Sequence, residues 1–256
     1  MEIVILTAIG VGGATVLGAL IGFLFKQTSH RFSDIILSFA AGVMLAAAMI
    51  GLIIPSISHG EEQFGNIYIA LLVTVIGIFV GAIFLNFIDK LVPHLHKLVG
   101  VEQEDHQNTS LNKVLLFVLA IAIHNLPEGI AAGVGFGSGN TTQALVIAGG
   151  IALQNIPEGM VIIAPMLASG VAPKKTFVIA LITGLVEVIG TFIGYFAVSV
   201  SQAILPFALA FAGGTMIYVI SDEIIPETHS HGVERAATHA LLAGFCIMLV
   251  FDTLLG

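Results

Sequence analysis

The chain has 256 residues, 57% of them hydrophobic and 9% charged, with a mean hydropathy of +1.06. Those values exclude an ordinary water-soluble domain and point to a chain that crosses a membrane several times. The formal net charge of -8 is divided between loops and apolar runs, so it says little about partners beyond the lipid bilayer, and no nucleic acid is expected. The single cysteine, Cys246, excludes an intrachain disulfide framework. Met1-Glu2-Ile3 lacks the basic segment that precedes a cleaved signal, so the first apolar run is expected to stay as a span.

Eight apolar runs are long enough, at about 20 residues each, to cross a hydrocarbon core. They fall at roughly 3–25, 34–57, 66–88, 113–137, 142–168, 175–199, 204–225 and 236–255, within one transmembrane domain covering 1–256. The longest connection, 89–112, carries three of the nine histidines. Lys26, Arg31, Lys90, Lys97, Lys113, Lys174, Lys175 and Arg235 are all the basic residues, and under eight spans every one falls on the same side. The positive-inside rule makes that side cytoplasmic, with both termini extracellular or periplasmic; the expected location is the plasma (inner) membrane. An error of one span would scatter the charges over both sides.

Gly10, Ala14, Gly18 and Gly22 recur every four residues in the first span. Small residues at that spacing let helices approach closely, within the bundle or between the two copies of a homodimer. A repeat links the second and seventh spans. Phe39-Ala40-Ala41-Gly42-Val43-Met44-Leu45 matches Phe211-Ala212-Gly213-Gly214-Thr215-Met216-Ile217. Ile53-Ile54-Pro55 then matches Ile224-Ile225-Pro226, and His59-Gly60 matches His231-Gly232. Those two spans run in opposite directions, which predicts an all-α membrane protein with a 3+2+3 inverted repeat.

The chemistry concentrates in His124-Asn125-Leu126-Pro127-Glu128-Gly129, inside the apolar run from Val114 to about Phe136. It recurs as Gln154-Asn155-Ile156-Pro157-Glu158-Gly159 in the next run. An acid at mid-bilayer costs about 2.5–3.5 kcal/mol on insertion scales, and Glu128, Glu158 and Glu187 all lie deep. No Lys or Arg lies in a span core to neutralise them, so protons or a bound cation must. Imidazole, amide and carboxylate groups together favour a divalent transition metal over sodium. His124 and Glu128 stand four apart on one helix face, as do Gln154 and Glu158. Pro127 and Pro157 should kink their helices and free carbonyls near residues 123 and 153. Gly129 and Gly159 should then let the two kinked helices meet.

With these paired motifs the chain resembles the ZIP (Zrt/Irt-like) divalent-metal transporter family, its bacterial GufA-like branch above all. The resemblance covers nearly the whole chain. It implies a metal site halfway across the membrane, often binuclear. His124, Glu128, Gln154 and Glu158 would hold the first ion, with Met44 reaching it. Asn125, Asn155 and Glu187 would complete a second site, with Glu128 and Glu158 bridging. Gln154 stands where many members have His, and Asn155 where close relatives can carry Asp. One tight site and a weaker or empty second one are therefore expected.

The implied activity is import of Zn²⁺, with Fe²⁺, Mn²⁺ and Cd²⁺ as further cargo, by alternating access and without a resident cofactor. Asp89, His94 and His96, with Glu223 and Glu227, suggest a cytoplasmic mouth, and His59, Glu61 and Glu62 an outer one. The alternative from another class is an intramembrane metal hydrolase using a metal-bound water. It calls for two histidines on one helix, as in His-Glu-x-x-His, and this sequence has no such motif.

Overall fold

The computed structural model describes residues 1–25, 29–98 and 109–255, and every regular element among them is helical. We number the helices α1 (Glu2–Leu24), α2 (His30–Phe64), α3 (Ile67–Leu98) and α4 (Thr109–Gly135). They are followed by α5 (Thr141–Ala168), α6 (Pro173–Val200), α7 (Gln202–Thr228) and α8 (Glu234–Leu255). Among the described residues, seven segments are long and apolar enough to cross a membrane: α1, α2, Ile67–Ile88 of α3, and α5 to α8. At 1.5 Å per residue, even 22 residues reach about 33 Å, the thickness of a hydrocarbon core.

Local chemistry sets the ends. The Ser29 hydroxyl caps α2 by accepting from the Phe32 N–H at 3.2 Å, and the Asn140 amide oxygen caps α5 by accepting from Gln143 at 3.1 Å. Gly65, at φ 63°, closes α2 in the left-handed conformation that glycine adopts without a Cβ penalty. Proline opens α6 at Pro173, where its missing N–H costs nothing.

Several helices run further than their apolar runs. Helix α2 reaches Phe64, α7 reaches Thr228, and the backbone of α3 stays helical through Asp89, His94 and His96 to Leu98. A helix that leaves the apolar layer loses nothing by continuing, since its hydrogen bonds are internal.

The irregular backbone is not where the motif prolines suggested. Helices α4 and α5 remain α-helical through Pro127 and Pro157. Wide π-helical turns occur instead at Ala47–Ile53 in α2 and Ile220–Ile224 in α7, one just before Pro55 and the other just before Pro226. A π turn widens the helix ahead of a ring that lacks an N–H, so the strain is absorbed locally.

The helices sort into two groups by close packing. In the first, α1 packs on α5 and α6, and α4 packs on α6 and α5; in the second, α2 packs on α8, α3 on α7, and α2 on α7. Contacts of α2 with α5 and of α4 with α7 join the groups. Glycines permit the closest approaches. A Cβ on Gly42 would strike the Leu241 carbonyl, and one on Gly214 the Ile78 carbonyl. One on Gly244 would strike the Phe39 carbonyl, and one on Gly81 the Phe211 carbonyl. Buried Met44, Leu52, Ile147, Ile151, Leu209 and Met216 fill the joint core. Leu72, Phe79, Ile83 and Phe87 on α3 and Val250 and Leu254 on α8 are more than half exposed, an apolar exterior that water would not tolerate.

Candidate metal centre

Helices α4 and α5 bring the two motifs side by side because each carries its glycine against a third helix. Gly129 seats α4 on the Glu187 backbone of α6, and Gly159 seats α5 on the Thr15 backbone of α1. This corrects the expectation that the two glycines join α4 to α5. A side chain at either would collide with a helix backbone, which cannot swing aside.

His124, Asn125, Glu128, Gln154, Asn155, Glu158, Glu187 and Met44 are all buried. The Gln154 amide donates to Glu128 Oε1 at 2.8 Å, linking α5 to α4. The Asn155 amide donates to Glu187 Oε2 at 2.7 Å and to the Val11 carbonyl at 3.2 Å. The Asn125 amide donates to the Thr183 carbonyl at 3.3 Å. Glu158 lies within Coulombic reach of Glu128, Glu187 and the His124 imidazole. The three acids therefore share one region.

Glu223 is drawn into this centre. His124 Nε2 stands 2.7 Å from Glu223 Oε1, so the side chain assigned to the cytoplasmic mouth pairs across the two helix groups with the central histidine. No motif marks that contact, nor does one mark Thr15, whose hydroxyl donates to Glu187 Oε1 at 2.6 Å. A signal for Thr15 did exist. It precedes Glu187 by 172 residues, the offset that separates Met44 from Met216. Glu227 lies exposed in the last turn of α7, and the Asp89, His94 and His96 side chains lie outside the described residues. Near the C-terminal end of α2, His59 Nδ1 is 3.8 Å from Glu62.

The amides turn their nitrogens to carboxylates and carbonyls, which directs their oxygens elsewhere. Asn125 Oδ1, Glu128 Oε2, Gln154 Oε1 and Asn155 Oδ1 are buried without a hydrogen-bond donor. Each such acceptor costs about 1–3 kcal/mol, and native proteins rarely retain four in one place without a use for them. Unsatisfied oxygens beside an imidazole and three acids form a donor set that suits a divalent cation. Among the described residues no three His, Cys, Asp or Glu side chains already surround one point. His124 faces Glu223, and the amide nitrogens occupy one oxygen each of Glu128 and Glu187. A cation would have to draw these groups inward.

Comparison with known proteins supplies the remaining context. A family model described as ZIP Zinc transporter matches residues 100–252. The chain is 40% identical over 245 residues to zinc transporter GufA of Myxococcus xanthus, covering 96% of each chain. It is 37% identical over 243 residues to zinc transporter ZIPB of Bordetella bronchiseptica, covering 95% of this chain and 78% of that one. Zinc transporter ZupT of Chlorobaculum parvum is 34% identical over 249 residues, covering 93% and 92%.

Proposed function

We propose a mechanism for a chain that belongs to the ZIP zinc transporter family: its cargo crosses the membrane through the centre built by His124, Glu128, Gln154 and Glu158. The protein is an integral membrane transporter of divalent metal, zinc foremost, and not an enzyme. The hydrolase alternative has no support from its relatives.

The observation that carries the site reading is the set of four buried oxygens without donors, on Asn125, Glu128, Gln154 and Asn155. Zinc takes nitrogen and oxygen ligands at about 2.0–2.2 Å. His124 leaves Glu223 and turns its nitrogen to the ion, and Gln154 offers its oxygen. Glu128 and Glu158 supply the charge, and buried Met44 closes the shell from α2. Asn125, Asn155 and Glu187 border a second position. Zinc leads, with Fe²⁺, Mn²⁺ and Cd²⁺ as further cargo that the same donors accept.

Transport then moves α1, α4, α5 and α6, which carry seven of the eight central residues, against α2, α3, α7 and α8. Close packing within each group and sparser contact between them support this division. With α4 counted as a further span, the chain crosses the plasma membrane eight times as a 3+2+3 inverted repeat with both termini outside. The exchange of α1 with α6, α2 with α7, α3 with α8 and α4 with α5 maps packing onto packing. Gly42 against Leu241 becomes Gly214 against Ile78, and Gly18 against Ile156 becomes Gly190 against Leu126. The paired π turns in α2 and α7 obey the same exchange. On this topology the basic residues lie inside, metal enters past His59 and Glu62, and it leaves past Glu223 and the 89–112 segment with Asp89, His94 and His96.

The test is zinc uptake into proteoliposomes with a fluorescent reporter inside, with and without a pH gradient, against competing Fe²⁺, Mn²⁺ and Cd²⁺. Saturable uptake above empty liposomes is expected. Zinc flux no greater than in liposomes without protein would overturn the proposal.

A further inference from the structure

We propose that Thr15 decides how many cations the centre holds: its hydroxyl and the Asn155 amide bind Glu187 as hydrogen-bond donors in place of a second metal ion. The inference rests on the central-site reading above and extends it to a residue of α1.

Glu187 is fully buried, and no Lys or Arg lies in the span cores around it. A buried carboxylate requires a counter-charge or several donors. Here one oxygen accepts from Thr15 Oγ1 at 2.6 Å and the other from Asn155 Nδ2 at 2.7 Å. Both distances lie at the short end of the range for protein hydrogen bonds. Both carboxylate oxygens are thus engaged by groups of the chain, and the contacts bind α1, α5 and α6 into one body. The Asn155 nitrogen serves this lock, while its oxygen is buried without a donor.

The position of Thr15 explains why it is a donor. Thr15 and Glu187 are related by the same 172-residue offset as Met44 and Met216. Their neighbours obey that relation too: Gly12 and Gly184 press against each other's carbonyls, and Asn155 bonds the Val11 carbonyl as Asn125 bonds that of Thr183. Thr15 and Glu187 therefore meet across the local twofold axis. Two acids facing each other there would repel or demand a cation between them. One acid and one hydroxyl satisfy each other. A hydroxyl donor against Glu187, together with an amide at 155, converts a place for a second ion into a structural hydrogen bond.

The experiment is zinc stoichiometry by equilibrium dialysis of the purified full-length protein, comparing wild type with Thr15→Val, Thr15→Ser, Asn155→Asp and Glu128→Ala. Valine keeps the shape of threonine and deletes the donor; aspartate removes the amide donor and adds a charge. We expect one zinc per chain in wild type and Thr15→Ser, and two in Thr15→Val and Asn155→Asp. A purely structural role for Thr15 would lower the melting temperature of Thr15→Val without changing its stoichiometry. Two ions in wild type overturn the proposal, and so does one ion in folded Thr15→Val. If Thr15→Val does not fold, Thr15→Ala, which also deletes the donor, decides in its place, and one ion there overturns the proposal, as does one ion in Asn155→Asp. Glu128→Ala separates the two readings: zinc binding equal to wild type in that variant refutes the central site itself.

Discussion

Replacing Gly129 by alanine tests how closely the centre depends on helix packing. A Cβ at 129 would stand 2.9 Å from the Glu187 Cα and carbonyl carbon, and would strike the carbonyl oxygen, where ordinary contact begins at 3.4 Å. The obstacle is backbone, so α4 and α6 must part by about 1 Å. Overpacking of this kind costs about 1–3 kcal/mol, and the higher helix propensity of alanine returns about 1 kcal/mol. The larger effect falls on the site, because metal–ligand distances tolerate only about 0.2 Å and Glu128 is the adjacent residue. Each 1.4 kcal/mol lost is a factor of about ten in affinity, so zinc should bind at least about tenfold more weakly. Gly10→Ala is the control: a Cβ there meets nothing within 4 Å, and affinity should stay within about twofold, since surface changes away from special features are worth under about 0.5 kcal/mol. Isothermal titration or dye competition on both variants suffices. Wild-type affinity in Gly129→Ala would refute the reasoning.

Three further outcomes follow from named contacts. Glu223→Gln should lower the melting temperature of zinc-free protein by about 2–4 °C, as expected for about 1 kcal/mol in a chain of this size, Glu223 being partly exposed. That difference should shrink at saturating zinc, because loaded His124 no longer needs Glu223; an equal loss in both states argues against the exchange. Ser56→Ala removes a hydroxyl that bonds Thr74 Oγ1 at 2.8 Å and the Pro206 carbonyl at 2.7 Å. Thermal melts should register a loss of about 1–3 kcal/mol while zinc affinity stays unchanged, and a change in affinity would show that this junction communicates with the centre. Met44→Leu conserves volume and should cost under about 1.5 kcal/mol of stability, yet weaken zinc binding through loss of the thioether; unaltered binding makes Met44 a packing residue only.

Much of this architecture is legible in the primary structure because the membrane makes its demands in residue types. Long apolar runs must be helices, and a histidine with three acids in the midst of them must be compensated. The repeated hexapeptides mark where the buried polar groups gather, and the repeat around Met44 and Met216 has a counterpart in paired contacts, Gly42 on Leu241 and Gly214 on Ile78. What escapes is pairwise geometry. Gly129 and Gly159 advertise close approach, yet nothing local says that their partners are Glu187 and Thr15. Pro127 and Pro157 suggest irregular helices, while the π turns sit before Pro55 and Pro226. A proline records strain, and the surrounding packing decides where it is relieved. Thr15 is silent by composition, since threonine in an apolar helix is commonplace, and only its offset from Glu187 marks it. Glu223 looked like a helix-end acid, and its link to His124 depends on how α4 and α7 lie together.

The central claim is that His124, Glu128, Gln154 and Glu158 hold the ion in transit, and initial rates of zinc uptake into proteoliposomes by His124→Ala, Glu128→Ala and Glu158→Ala test it most directly. Each loses a charged or imidazole ligand, and removing one such contact from a buried set costs about 3–5 kcal/mol, so uptake at subsaturating zinc should fall at least about a hundredfold. Folded protein in the same membranes, transporting zinc at the wild-type rate without Glu128 or His124, would contradict the account.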